Sequence, residues 1–461
     1  MKKEVRFLFE NKVNNIFVPN AMPSKILNNF IKYVNQNKHN ECRNEFIKKY
    51  NTEFPYTTNH DLIREDRFDL VSEIEKNDYE YFGGNRVIYL YYIGTSGNMN
   101  CGLNQDNKYD FTGYFENISS EIKNIIINKK NVYLYLNQNQ EKITEDNVLK
   151  IYKDCLNKKI PPNKIMLSSD NFDYFKIKQS LENQYKIDCN IKFFNYPWAL
   201  YQAAEMLDFL DEQNNIVKKI KYNRDKKFLC FNRNLKQNKV LVILYLLGKY
   251  EKDTFLSFDI NRLPPNYKKS LEDILKIFSI KDLYIGYEKM MNIKKSIIDV
   301  DDLNSGMELL YDDKKIYEDS YFSLVTETET ESGRITEKTF KPIINQHPFI
   351  IWGSPGSLKY LKYYNFKSFS EFIDEKYDNE FERYDERYKH LLNTIDSVGK
   401  MNKEKLDELT KQISNILIYN RKLLEKYNHN SMLIDFIKNI FSLADNTFSN
   451  QYYSIIEPKT I

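Results

Sequence analysis

The chain has 461 residues, 15% aromatic residues and nearly balanced charge, with 68 Lys and Arg against 65 Asp and Glu. This length favours two or three domains over one, and the aromatic content excludes a disordered chain. A net charge of +3 does not indicate a nucleic-acid-binding protein, because phosphate backbones select clustered positive charge.

The cysteines and the start of the chain bear on the compartment. Five Cys stand singly without a C-x-x-C pair, so neither a disulfide framework nor a zinc site is indicated. The opening "MKKEVRFLFENKVNN" lacks the apolar core of a signal peptide. No segment has 18 uncharged apolar residues in a row. We therefore expect a cytoplasmic protein without a transmembrane segment.

Strands that alternate with helices are predicted in the first half of the chain. Residues 1–80 are mixed and polar, and we expect at most an added helical segment there. A helical pattern runs from Glu145 to Leu156. Alternation of this kind indicates βαβ units and a parallel sheet. The predicted strands are "RVIYLYYIG" from Arg86, "NVYLYLN" (131–137), "NKIMLSSDN" (163–171) and "CNIKFFNYP" (189–197).

The second half repeats the alternation after a polar segment. Residues 211–227 predict a hinge or an exposed helix, and we interpret their basic residues as a solvated face. The predicted elements that follow are a strand at 227–234, a helix in "NKVLVILYLLGKY", a strand in "SYFSLVTETE" (320–329), a helix in "TEKTFKPIIN", a strand and turn in "PFIIWGSPGS", and an amphipathic helix at 403–428.

This order of elements predicts an α/β protein with two Rossmann-like lobes, a cleft between them and a C-terminal helix. We expect residues 1–215 to form the first lobe and residues 216–461 the second. Ligands of such sheets bind beyond the carboxyl ends of the strands.

One candidate ligand site is the end of the strand at 227–234. Asn232 and Arg233 stand where this strand ends and the next helix begins. A pyrophosphate fits such a place, because helix N-terminal amides are unpaired and the helix dipole is positive there. Arg233 could add a two-pronged contact to phosphate oxygens. The alternative is an arginine on a surface turn.

A second candidate is the segment that follows the strand at 320–329. Glu327 comes at the strand's carboxyl end, and Thr336 is a predicted helix N-cap. Glu337 and Lys338 then lie in the first helical turn. A carboxylate can accept both hydroxyls of a ribose, and a lysine can neutralise phosphate charge as a sugar departs. The alternative is that Glu337 complements the helix dipole while Lys338 is solvated.

The same segment resembles the donor-binding motif of glycosyltransferase family 10, the α1,3-fucosyltransferases. The motif is a phenylalanine, any residue, a leucine, two residues, Glu-Asn, a short loop and then Ile/Val-Thr-Glu-Lys. The later "HPFIIWGSPG" and the upstream "FLCFNRN" are also similar to family segments, and the resemblance covers about residues 225–375. The matching residues are Phe322, Leu324, Glu327, Ile335, Thr336, Glu337 and Lys338.

The resemblance implies a GT-B-like fold, with nucleotide-sugar binding in the C-terminal lobe and acceptor binding in the N-terminal lobe. It implies that Glu337 binds ribose, that Lys338 and Arg233 hold the diphosphate, and that the donor is GDP-fucose. The chain departs from the motif at Thr328, where the family has Asn, and at Arg334, where it has Tyr. We therefore place Arg334 among the candidate donor contacts. The complete set of candidate donor contacts is Asn232, Arg233, Glu327, Arg334, Thr336, Glu337 and Lys338.

The catalytic base is the least defined part of the prediction. An inverting transfer needs a group that takes the proton of the acceptor hydroxyl. Asp170, in "SSDN", ends a predicted strand and is weakly similar to the family's Gly-Glu-Asn loop, while Glu141 follows the strand at 131–137. An ordinary loop carboxylate is the alternative for both.

Two further features are interpreted as structural. "DVDD" (299–302) is interpreted as a solvated acidic turn rather than a metal site, and His347 as a structural or surface histidine. We therefore predict an inverting, metal-independent glycosyltransferase without a cofactor, with a nucleotide diphosphate sugar and a glycan or other hydroxyl acceptor as substrates. A non-catalytic nucleotide-sugar sensor or scaffold is the alternative.

Overall fold

The computed structural model describes most of the chain from residue 120 onward and several strands before it. The described residues are 3–8, 81–82, 85–95, 101–103, 109–111, 115, 118, 120–137, 143–172, 174–212, 214, 216–232, 235–262, 267–293, 314–328, 330, 333–381, 383–427 and 429–445. The segment predicted at 1–80 as an added helical region lies almost wholly outside them, as do Glu141, Arg233 and "DVDD".

The first sheet is mainly parallel. Its strands follow the order β1-β3-β6-β7-β8, all in parallel pairs, and β2 pairs with β3 antiparallel. A separate antiparallel pair, β4-β5, stands apart. The four strands predicted in the first half are therefore confirmed, with different ends. The expectation of at most an added helical segment at 1–80 is wrong for β1, which is a strand because it pairs with β3, far along the chain. Their bounds are β1 Lys3–Leu8, β2 Tyr81–Phe82, β3 Asn85–Thr95, β4 Cys101–Leu103, β5 Tyr109–Phe111, β6 Val132–Asn137, β7 Ile165–Ser169 and β8 Lys192–Asn195.

Three helices connect described parallel strands of this sheet, and a fourth, α4, follows its last strand, β8. The helix predicted from Glu145 begins at that residue because Thr144 and Asn147 form a reciprocal capping box. The helix bounds are α1 Ser120–Asn128, α2 Glu145–Lys158, α3 Tyr174–Tyr185 and α4 Trp198–Glu212.

The second sheet is wholly parallel, in the order β10-β9-β11-β12. Its strand β11 is buried at every position, as expected for a central strand covered on both faces. The bounds are β9 Lys226–Asn232, β10 Thr254–Phe258, β11 Ser320–Thr326 and β12 Phe349–Trp352. The helices of this half are α5 Gln237–Lys249, α6 Tyr267–Phe278, α7 Lys281–Met291, α8 Lys314–Glu318, α9 Glu337–Ile344, α10 Ser357–Tyr363, α11 Tyr384–Gly399 and α12 Lys403–Leu424.

The chain forms two compact units whose bounds differ from the predicted lobes. The first unit holds residues 1–201 and 428–450, and the second holds 202–427 and 451–461. The division thus falls inside α4 instead of after residue 215. The last described helix, α13 (His429–Ala444), returns to the first unit, where Lys192 Nζ donates to the Leu443 carbonyl at 2.7 Å. Only tertiary contacts of this kind assign a terminal helix to a unit.

The basic segment at 211–227 is partly buried rather than a solvated face. Arg224 is only 3% exposed. Its guanidinium donates to the carbonyls of Lys221 and Ser320 and lies 5.6 Å from the Tyr321 ring centre. The interpretation as a solvated face is therefore wrong for Arg224, because the carbonyls of Lys221 and of Ser320 at the start of β11 accept from its guanidinium.

The fold class predicted from the sequence is confirmed: the protein is α/β, with two largely parallel sheets and helical crossovers. The long C-terminal helix predicted at 403–428 is α12. Among the described residues, no helix is long and apolar enough to cross a membrane.

Candidate functional site

The carboxylate of Glu327 organises the carboxyl edge of the second sheet. Glu327 directly follows β11 and is fully buried. Its Oε1 accepts from the Thr336 backbone N–H at 3.1 Å and from the Thr339 hydroxyl at 2.6 Å, and its Oε2 accepts from the Thr336 hydroxyl at 2.5 Å. A buried carboxylate is tolerated only when donors surround it. These three bonds therefore fix the start of α9 against the end of β11.

Thr336 is the N-cap of α9, as the sequence predicts. Its backbone is extended, with φ −112° and ψ −178°, and its side-chain oxygen accepts from the Lys338 N–H at 3.5 Å. The hydroxyl thus donates to Glu327 and accepts from the helix with the same oxygen. Since both partners are fixed, the first turn of α9 has one orientation relative to the sheet.

Glu337 and Lys338 form an ion pair in that first turn. Lys338 Nζ lies 2.5 Å from Glu337 Oε1 and 3.3 Å from Thr336 Oγ1, and both charged side chains are 23% exposed. Burial opposes ionisation of Glu337, but the Lys338 charge and hydrogen bond outweigh it and hold the pKa of Glu337 below its ordinary value. The site therefore presents a partly exposed carboxylate and ammonium side by side at a helix N-terminus.

Pro342 lies inside α9. Proline has no N–H to continue the helical hydrogen-bond ladder. The helix ends two residues later at Ile344, and the His347 N–H donates to the Pro342 carbonyl at 2.9 Å.

Asn232 is placed at the same edge, but its side chain bonds within the protein. It is 2% exposed, its Oδ1 accepts from the Thr326 hydroxyl, and its Nδ2 lies 3.2 Å from Cys230 Sγ. The side chain thus ties the end of β9 to the end of β11. Its predicted contact with a donor stays a prediction, as does that of Arg233, which lies outside the described residues.

Arg334 follows a glycine that the turn requires. Gly333 has φ 55°, in the left-handed region that favours glycine, and its N–H donates to Ser354 Oγ at 2.9 Å. Arg334 is half-buried. The loop that carries Arg334 is thereby attached to the turn after β12, and a donor contact by its guanidinium stays a prediction.

The turn after β12 closes the other side of Glu327. An added Cβ at Gly353 would lie 3.1 Å from Cβ and Cγ of Glu327, so only glycine fits without displacing that carboxylate. Arg387 donates to the Gly353 carbonyl at 2.6 Å and lies 4.4 Å from the Trp352 ring centre. Asp378 accepts from the Leu358 N–H at 3.0 Å. The buried side chains of Arg387 and Asp378 thus hold this turn in place.

Several of these residues were missed by the sequence prediction. The motif contains Thr339 one helical turn after Thr336, and this spacing could have indicated that both face Glu327. Asn238 donates to the Glu327 carbonyl at 3.3 Å. Asn238, Gly353 and Arg387 lie far from Glu327 in sequence, and no local signal marks them.

His347 is a structural histidine, as one of the two predicted interpretations has it. It is 1% exposed, with Nδ1 2.9 Å from Ser323 Oγ and Nε2 2.6 Å from the Ser320 carbonyl. The carbonyl accepts, so Nε2 carries the proton and Nδ1 accepts from the serine. Burial lowers the pKa of His347 well below its ordinary value. The neutral ring therefore links the start and the middle of β11 to the residues just before β12.

Asp170 lies in the first unit, directly after β7. It is 1% exposed, and the neighbouring Asn171 is also buried and donates to the Ile143 carbonyl at 3.3 Å. The polar residues that follow β7 are thus buried in the protein and do not form an open loop. The assignment of Asp170 as base stays a prediction, and Glu141 lies outside the described residues.

The described residues contain no group of three or more His, Cys, Asp or Glu side chains placed to hold a metal ion. The "DVDD" segment lies outside the described part of the chain. Cys155, Cys189 and Cys230 are buried free thiols.

Comparisons with known proteins give distant structural likenesses. The chain matches no family model and no curated protein. Its structure is similar to a mutant of T4 phage BGT in complex with UDP-glucose, with 12% identity, a TM-score of 0.37, and coverage of 80% of this chain and 85% of that one.

Two further likenesses are of the same kind. The N-terminal domain of Candida albicans trehalose-6-phosphate phosphatase shares 10% identity, with a TM-score of 0.42 and coverage of 96% and 97%. A UDP-forming α,α-trehalose-phosphate synthase from Burkholderia xenovorans shares 8% identity, with a TM-score of 0.38 and coverage of 83% and 80%. TM-scores this low carry no argument about chemistry.

Proposed function

We propose that this protein is an inverting glycosyltransferase that moves a sugar from a nucleoside diphosphate sugar to a hydroxyl of a glycan or other acceptor. The second unit binds the donor and the first unit binds the acceptor. Fucose carried on GDP is the first donor to test, because the motif around Glu337 resembles that of α1,3-fucosyltransferases.

The observation that carries the proposal is the fixed Glu337–Lys338 pair at the carboxyl edge of a parallel sheet. Open α/β sheets bind ligands at this edge, and a helix N-terminus favours phosphate. The side chains of Glu337 and Lys338 are each 23% exposed, so a ligand can contact both charged groups. The ribose hydroxyls would donate to Glu337 while the diphosphate takes the Lys338 ammonium.

Rigid support for the pair strengthens this proposal. A binding site is effective when buried neighbours hold its contact residues in place. Glu327 supplies that support through its bonds to Thr336 and Thr339. In this proposal Glu327 positions the donor-binding turn and does not itself touch the nucleotide.

The proposed reaction needs positive charge on the departing diphosphate. Lys338 and Arg233 supply it in this proposal, and electrostatic stabilisation of this type can replace a metal ion. Activity is therefore expected to survive EDTA. Loss of activity with EDTA and its return with Mn²⁺ would contradict this part of the proposal.

A thermal-shift panel of GDP, UDP, CMP and dTDP sugars tests the donor. A donor at 100 times its Kd should stabilise the protein by roughly 2.7 kcal/mol, which gives a clear rise in Tm. We expect one nucleotide sugar, and the free nucleotide that it releases, to raise the Tm more than the others do. The absence of a shift with every nucleotide sugar would overturn the proposal.

Hydrolysis and product analysis then separate an enzyme from a sensor. The proposed enzyme should slowly release the nucleoside diphosphate from its donor, and NMR of a transfer product should show an inverted anomeric centre. Binding without hydrolysis or transfer would favour the sensor, and a retained configuration would contradict the inverting mechanism.

A further inference from the structure

A basic cleft lies at the amino edge of the first sheet. The neighbouring strands β6, β7 and β8 all run in the same direction, so their first residues lie along this edge. A cleft of about 800 Å³ opens there, beside the end of α13. Its described lining includes four lysines against a single carboxylate, that of Asp445. The lysines are Lys130, Lys164, Lys178 and Lys192.

Two of the lysines are fixed by helix or turn carbonyls. Lys164 Nζ donates to the carbonyls of Lys129 and Lys130, and to that of Val132 at 3.3 Å. Lys192 Nζ donates to the Leu443 carbonyl in the last turn of α13. These ammonium groups are therefore held in position before any ligand arrives.

The fixed charges repel each other. Burial, and to a lesser degree the charge of Lys192, together lower the pKa of Lys164 to about 8. Burial also lowers the pKa of Lys192. Two crowded, partly desolvated ammonium groups are unfavourable, and a bound anion would relieve their repulsion.

The other two lysines stand at the opening of the cleft. Lys130 is exposed, in the turn between α1 and β6. Lys178 lies on α3 and has an ion pair with Glu182 at 3.5 Å, in which both side chains are about one-third exposed. A pair this exposed is worth little, so Lys178 can turn to an anion in the cleft at small cost.

We propose that this cleft binds a small polyhydroxylated phosphate ester. The clustered ammonium groups match the charge of a phosphate monoester. A volume of this size suits a phosphorylated sugar rather than an inorganic ion. Asn163 and Asn190 also line the cleft, and amide side chains can bond to hydroxyls, although the Asn190 amide already donates to the Asp188 carboxylate at 2.8 Å. The site lies in the first unit and does not depend on the glycosyltransferase proposal.

The proposal is tested by calorimetry with ribose 5-phosphate as the probe and ribose as the uncharged comparison. Ribose 5-phosphate should bind and ribose should not. The double variant Lys130→Gln/Lys178→Gln should weaken binding at least tenfold. Lys153→Gln/Lys186→Gln removes two exposed lysines of the same unit outside the cleft, and it should change the affinity less than twofold.

Two further measurements make the test specific: proton uptake on binding, and binding of the probe to a variant of the other unit. Binding near pH 8 should take up protons, seen as a heat that depends on the ionisation enthalpy of the buffer, because the anion raises the pKa of Lys164. The Lys338→Ala variant should bind the probe as well as the wild type does. Equal binding of ribose, equal loss in both double variants, or loss only with Lys338→Ala would overturn the proposal.

Discussion

Thr336 donates twice to Glu327, from its backbone N–H to Oε1 at 3.1 Å and from its hydroxyl to Oε2 at 2.5 Å. The two residues are nine positions apart, at opposite ends of the loop between β11 and α9. These two hydrogen bonds join both ends of the loop, so the position of the Glu337–Lys338 pair depends on one buried carboxylate.

Glu327→Gln should weaken both the fold and donor binding. The amide replaces one accepting oxygen with an NH₂ group that faces a donor, and one unsatisfied buried donor costs about 1–3 kcal/mol. Urea unfolding and nucleotide titration measure the two effects. Glu371→Gln, at an exposed position of the same unit, is the control and should change neither. Unchanged nucleotide affinity in Glu327→Gln would contradict the positioning role.

Lys338→Ala should weaken binding of a nucleoside diphosphate more than binding of the matching nucleoside. A charge-assisted hydrogen bond is worth roughly 1.5–3 kcal/mol, so the diphosphate should lose at least tenfold in affinity. Isothermal titration of both ligands gives the comparison. Lys362→Ala, an exposed lysine on α10, should leave both affinities unchanged. Equal losses for the two ligands would remove Lys338 from the phosphate site.

Gly353→Ala should displace Glu327. The new methyl group would lie 3.1 Å from Glu327 Cβ and Cγ and 3.2 Å from Ser357 Oγ. Three hydrogen bonds hold Glu327, and the Ser357 hydroxyl donates to the Ser354 carbonyl at 2.6 Å, so both neighbours must shift against existing contacts. Overpacking of this kind costs about 1–3 kcal/mol. We expect a lower Tm together with weaker donor binding, measured by thermal shift with and without nucleotide. Ser370→Ala, at an exposed position, is the control, and a full-affinity Gly353→Ala protein would argue against the coupling.

Asp378 gives the stability a definite pH dependence. Burial raises the pKa of Asp378 to about 7, although the Arg387 charge opposes the shift and Glu375 adds to it. The carboxyl of Asp378 therefore holds its proton more tightly in the native state than in the unfolded state. Its contribution to the free energy of unfolding is complete below about pH 4 and is lost as pH rises to about 7.

Asp378→Asn removes this titration and keeps an oxygen that can accept from the Leu358 N–H. Relative to the wild type, the variant should gain stability as pH rises from 4 to 8, by about 1.4 kcal/mol for each unit of the shift that is realised. Urea unfolding at several pH values measures the difference. A stability difference that stays constant across this range would show that Asp378 is ionised throughout.

Asp170→Asn tests the proposed base. The amide cannot accept a proton, and general-base catalysis typically contributes 10²- to 10⁴-fold, so turnover should fall by that factor with donor affinity unchanged. Because Asp170 is 1% exposed, the Tm of the variant must be measured beside its turnover. Glu141→Gln is the matched comparison. Full turnover in Asp170→Asn with loss in Glu141→Gln would move the role to Glu141.

The local elements were predictable from the sequence because their signals are local. Apolar runs indicated most strands of both sheets but not β1, β2 or β10, and "ITEK" indicated a helix start with Thr336 as its cap. The pattern could also show that Glu327 lies at a strand end, since a carboxylate directly follows the apolar run. Hydrophobic periodicity and capping depend on residues within one or two turns of each other.

Only the tertiary structure decided what each of these side chains bonds to. Glu327 and Asn232 bond to protein donors and acceptors at the sheet edge, which no local pattern shows, and their contact with a ligand stays a prediction. Buried polar groups bond to protein partners, because an unsatisfied polar group away from water costs free energy. The burial of Arg224 could not be predicted either, since its partner Ser320 lies about 100 positions away along the chain. The same holds for the return of α13 to the first unit, where Lys192 and Leu443 lie about 250 positions apart. Sequence patterns record which residues stand near one another along the chain, and packing determines which ones meet.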